Sequence, residues 1–63
     1  MPFSDGDRIH LLNSKTYGGK VISAGTCGTI MGYQSLLDTY TVQFDGDVFI
    51  RVATPSDLAV GCP

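Results

Sequence analysis

Three groups of residues in this 63-residue chain have types that could carry chemistry. The first is Gly25, Gly28 and Gly32 within GTCGTIMGY. Glycines at such density can turn backbone N–H groups onto a phosphate, but that needs a helix behind the loop and a Lys-Ser/Thr or G-x-G-x-x-G pattern. The spacing here is G-x-x-G-x-x-x-G, no Lys follows, and the next residues alternate like a strand. The glycines therefore read as structural: a turn at Gly25, a close backbone approach at Gly28 and a tight bend at Gly32. The second group is His10 with whatever nucleophile and acid the fold brings to it. One His without a recognisable triad pattern assigns no catalytic residue and predicts a non-enzyme. The third is Cys27 and Cys62. Without C-x-x-C and with one His, they fall short of a four-ligand zinc site, so no metal and no cofactor are expected. A bridge between them would close a loop of about 35 residues, worth roughly 4 kcal/mol. In a cytosolic chain two free thiols are the expected state.

The remaining candidates bind instead of reacting. Tyr17, Tyr33, Leu36, Leu37 and Phe49 are apolar groups in or beside expected turns, where they would form a surface for a protein segment or for self-association. Arg8, Lys15, Lys20 and Arg51 are the four cations. Gathered on one face they would suit nucleic acid, but the net charge is −2 and phosphate binding is driven by Lys/Arg neutralisation.

Stepping along the chain shows which elements must hold these residues. GDRIHLL (6–12) alternates, with Ile9 and Leu11 on one face and Arg8 and His10 on the other, as in a strand with one wet side. NSKTYGGK (13–20) is a long polar loop and VISA (21–24) a short extended piece. In CGTIMGY, Cys27, Thr29, Met31 and Tyr33 fall on one side of a strand; Gly28, Ile30 and Gly32 fall on the other. QSLLD (34–38) is a turn. TYTVQF-DGD-VFIRV (39–52) is a hairpin, because Asp-Gly between alternating apolar residues is the strongest short-range signal for one. A two-residue loop would pair Val42 with Phe49. A three-residue loop, Asp45 to Asp47, pairs Val42 with Ile50 and buries Val48, Ile50 and Val52; this second register is preferred, with Phe49 outward beside Arg51. TPSDL (54–58) reads as one helical turn with Pro55 early. All six acids are Asp, which suits turns better than helices.

These elements predict a single all-β domain over 1–63. The N-terminus lacks a basic stretch leading into an apolar one, and no apolar run approaches the ~20 residues of a membrane span. The expectation is a soluble cytoplasmic protein.

GDRIHL, GTCGTIMGY, YTVQFDGD and VATPSDL, in that order, resemble the SH3-like small β-barrel superfamily over residues 6–58. The resemblance implies a five-stranded barrel with a long first loop and a single 3₁₀ turn before the last strand. It also implies a groove for an extended partner, built from first-loop and strand-end aromatics, here Tyr17 and Tyr33. Within that group the chain is similar to KOW-type modules, which implies nucleic-acid binding, although those modules are typically basic and this chain is acidic. The order is also similar to plasmid-borne type II dihydrofolate reductases, whose pore forms between subunits. Their Gln-Ile-Tyr signature is replaced here by Phe49, Ile50 and Arg51, and only the Ile is kept.

Overall fold

A computed structural model describes residues 2–63. The described residues form strands β1 (Arg8–Leu11), β2 (Lys15–Tyr17), β3 (Lys20–Ile22), β4 (Cys27–Gln34), β5 (Thr39–Phe44), β6 (Ile50–Ala53) and β7 (Leu58–Val60). A 3₁₀ turn at Pro55–Asp57 precedes β7, with Pro at the start of the turn where its missing N–H costs nothing. Among the described residues, no helix is long and apolar enough to cross a membrane.

The chain is all-β. Five strands form one antiparallel sheet in the order β6-β5-β4-β1-β7, and β2 and β3 form a separate hairpin. The hydrogen-bonded order ends at β6 and β7, so the ladder does not return on itself. The stretch expected as a loop over 13–20 holds this second hairpin. Its turn is Gly18-Gly19, and only Gly18 has positive φ, at 61°, as a II′ turn requires of its first central residue.

The alternation in β1 holds: Ile9 and Leu11 are buried, while Arg8 is exposed. Strand β4 departs from its expected faces. Ile30 pairs with Val42 and Gly32 with Thr41, leaving Met31 as an extra, bulged residue. A bulge reverses the side-chain parity beyond it. Tyr33 therefore joins the face of Gly28 and Ile30, opposite Tyr40, and Gly32 turns to the other face, opposite Thr41.

The inward faces enclose one core: Phe3, Ile9, Leu11, Ile22, Ile30, Tyr40, Val42, Phe44, Ala53 and Leu58. Each large apolar side chain so buried stabilises the fold by about 1.5–3 kcal/mol. Phe3 was not visible as a core residue in the sequence. Its ring meets Tyr40 edge-on at 5.2 Å, and its backbone N–H donates to the buried Tyr40 hydroxyl at 3.3 Å. Cys27 and Cys62 form a disulfide, with Cα atoms 5.5 Å apart. This corrects the expectation of free thiols. Cys27 lies on β4 and Cys62 follows β7, so the bridge passes from one to the other across β1, which lies between them in the sheet.

Candidate functional site

The hairpin between β5 and β6 carries the surface with the most unusual chemistry. Asp-Gly does turn the chain there: Asp47 N–H donates to Phe44 C=O at 3.1 Å, and Gly46 has φ +82°. Asp45 does not share that left-handed conformation, so this is not the I′ turn that would lead the strands straight back together. Pairing resumes only at Gln43 with Ile50, and Val42 lies opposite Arg51. Both registers expected from the sequence, Val42 with Phe49 and Val42 with Ile50, are therefore replaced by a wider loop.

The reason is Asp47. Its side chain is only 4% exposed and accepts from Arg51 Nε at 2.7 Å. It also accepts from the Phe49 N–H at 3.3 Å. The Gln43 side-chain amide donates to the main-chain oxygens of Asp47 and Phe49 and fills the gap left in the ladder. Folding this carboxylate in holds residues 48–49 away from β5. Val48, Ile50 and Val52 consequently face solvent, at 83%, 49% and 47% exposure, where burial was expected. Ala53 is the residue of β6 that enters the core, opposite Tyr40.

Phe49 is exposed beside Arg51, whose guanidinium carbon sits 5.0 Å from the Phe49 ring centroid and 5.4 Å from that of Tyr17. Tyr17 reaches over from β2 and donates its hydroxyl to the Val52 carbonyl at 2.8 Å. Partial burial pushes its phenol up from the ordinary value. Tyr17, Phe49, Arg51 and Asp47 thus form one cluster at the edge of the sheet.

Tyr33, Leu36 and Leu37 lie at the other end of β5. Tyr33 stacks on Tyr40 at 4.8 Å and donates its hydroxyl to Asp38 at 2.7 Å. Leu36 and Leu37 project from the β4–β5 turn, at 93% and 66% exposure. Gln34–Thr39 and Gln43–Ile50 mark the two ends of β5, four residues or about 13 Å apart. The five proposed contact residues therefore divide into two groups instead of one groove.

Of the four cations, three are each held by an aspartate. Arg8 makes two bonds to Asp45, at 2.9 and 2.6 Å, Lys15 meets Asp57 at 3.0 Å, and Arg51 holds Asp47. Lys20 makes no ion pair among the described residues. His10 donates its Nδ1–H to the Gly61 carbonyl, 2.8 Å away, and Cys27, its cross-strand neighbour, is in the disulfide.

The ion pairs make a pH prediction. Asp45, Asp47 and Asp57 are held below the ordinary carboxylate range, chiefly by hydrogen bonds from Arg8, Arg51 and Lys15 respectively. A carboxylate depressed on folding contributes stability that is complete above its unfolded pKa and is lost as pH falls through the folded value. Melting temperature is expected to stay level from about pH 7 to 5 and to fall progressively below about pH 4. Asp47→Asn should make that acid limb shallower. An acid limb equally steep in the variant would show that Asp47 is not one of the groups responsible.

No family model, curated protein or solved structure matches the chain.

Proposed function

We propose that the chain is a non-enzymatic interaction module, an SH3-like small barrel that binds protein through the β6 edge and the hairpin before it. The barrel reading is supported by the order of elements: an opening strand, a long excursion, a three-strand meander, one 3₁₀ turn and a short last strand. The interaction reading rests on one observation. Val48 and Phe49 in the loop and Ile50 and Val52 on β6, the last strand on its side of the sheet, are all apolar and exposed. An apolar strip of that kind on a soluble surface marks contact with another macromolecule. Aromatic and Arg side chains held rigid beside it are the usual anchors of such contacts.

If the strip serves contact and not folding, removing it leaves stability nearly unchanged. Val48→Ser with Phe49→Ser is expected to shift the unfolding free energy by no more than about 1 kcal/mol in dilute solution, the range of ordinary surface substitutions. A photo-crosslinking residue at position 49, introduced in the cell of origin, is expected to give a polypeptide adduct, while one at position 5 gives none. Unfolding of the double variant, or an adduct with nucleic acid only, would overturn the reading.

A further inference from the structure

We propose that the Asp45–Gly46 bond is a site of aspartate isomerisation, held shut by the Arg8 guanidinium and opened when that ion pair parts.

The chemistry is intramolecular. The Gly46 main-chain nitrogen attacks the Asp45 side-chain carboxyl carbon. A carbon–nitrogen bond forms, a carboxyl oxygen leaves with two protons as water, and a cyclic imide results. Water then reopens the ring at either carbonyl. One opening restores aspartate; the other leaves isoaspartate, whose main chain runs through the side-chain carbon. Water is the only co-reactant, and nothing is oxidised or reduced. The step sets three conditions. The following residue must not crowd the nitrogen, which glycine satisfies by having no Cβ. The nitrogen must be free of another bond. The carboxyl must turn back onto it and lose an oxygen as water, which the neutral acid does and the carboxylate does not.

The triplet Asp-Gly-Asp occurs twice, at 5–7 and at 45–47. Both copies form the same kind of turn. Asp7 N–H donates to Ser4 C=O at 3.0 Å and Asp47 N–H to Phe44 C=O at 3.1 Å, with Gly6 at φ +89° and Gly46 at φ +82°. The fold protects the two by opposite means. At Asp5–Gly6 the nitrogen is tied, because Gly6 N–H donates to the Ile30 carbonyl at 2.7 Å. At Asp45–Gly46 the nitrogen makes no hydrogen bond among the described residues, and both residues are exposed.

What is tied there is the carboxyl. Its two oxygens accept from Arg8 at 2.9 and 2.6 Å, a fork that fixes the plane of the group. Thr29 Oγ1 accepts from the same guanidinium at 3.0 Å and braces it. The bonds from Arg8 also hold the Asp45 carboxyl below the ordinary range, so it stays ionised. This guard is a surface ion pair, with side chains 44% and 55% exposed, and such pairs open at little cost.

The product acts on the loop that follows. Isoaspartate at position 45 lengthens the main chain just ahead of Asp47, whose carboxylate holds Arg51 and accepts from the Phe49 N–H.

The test incubates the full oxidised chain at physiological temperature and neutral pH. Peptide mapping with electron-transfer fragmentation locates isoaspartate, and enzymatic methylation of its free α-carboxylate counts it. In denaturant, with the bridge reduced, the two triplets are expected to react at comparable rates. In the folded chain position 5 should be silent and position 45 slow. Arg8→Gln should raise the rate at position 45 at least about threefold, the factor that an exposed ion pair in the middle of its usual range represents. Position 5 should stay silent in that variant. Arg8→Lys, which keeps the charge and loses the fork, should fall between wild type and Arg8→Gln. Circular dichroism checks that both variants are folded, as substitutions at an exposed position should be. An unchanged rate at position 45 in both variants would overturn the proposal. So would isoaspartate at position 5 ahead of position 45 in folded Arg8→Gln.

Discussion

Reducing the Cys27–Cys62 bridge should cost this protein about 4 kcal/mol of stability, from the chain entropy that a closed loop of 35 residues' separation denies to the unfolded state. A domain of this length has roughly 3–9 kcal/mol in total, at the usual stability per residue. The reduced chain should therefore be marginal or unfolded at physiological temperature. Urea denaturation with and without dithiothreitol measures the difference directly. Cys62→Ser is the cleaner variant, because Cys62 is exposed in the tail and its thiol fills no space in the core. Agreement between the reduced wild type and the variant would assign the loss to the covalent link. A change under about 1 kcal/mol would mean that the unfolded chain gains little freedom when the link is cut.

Gly28→Val should be the most damaging single substitution in the sheet. A Cβ at Gly28 would stand 2.9 Å from Val42 Cγ1, 3.0 Å from the Gln43 carbonyl oxygen and 3.1 Å from Phe44 Cδ1. The Gln43 oxygen belongs to the backbone of β5 and can yield only if the β4–β5 ladder shifts. Ala there should cost about 1–3 kcal/mol and Val at least about 3 kcal/mol, as overpacked cores do. Gly32→Ala is the internal control: its Cβ would meet only the Thr41 hydroxyl, at 3.1 Å, a group that can rotate aside. Thermal melts of the variants should separate widely. Equal losses at positions 28 and 32 would show that close approach to β5 is not what Gly28 provides.

The contrast between these two glycines shows how far the sequence could be read. It was right that Gly28 permits a close neighbour, because a glycine inside an apolar alternation has few other uses. It could not place the bulge at Met31, since nothing about Met marks an extra residue in a ladder, and from there the faces of β4 came out reversed. The Asp-Gly turn was equally legible, but its register was not. Apolar matching favoured burying Val48, Ile50 and Val52, whereas a charge-assisted bond between Asp47 and Arg51, four residues apart, outweighed that match and held the strip outside. Local patterns report turns and alternation; they do not report which buried polar group must be satisfied first. The same limit applies to the candidate site. Phe49 beside Arg51 was anticipated, although for the wrong register. Tyr17 is expected from the sequence as a first-loop aromatic for a partner, and only the fold reveals that its hydroxyl is tied to Val52 across 35 residues of chain. The aspartates lie where turn chemistry puts them: none of the six is within a strand.

The bridge from β4 to the tail has a topological consequence. It makes the segment from Cys27 to Cys62 a closed covalent ring that contains β4, β5, β6 and β7, with β1, β2 and β3 as an arm attached to it. A protease that nicks the exposed Leu36-Leu37 tip therefore opens the ring without dividing the molecule, and the two pieces stay joined until the sulfurs part.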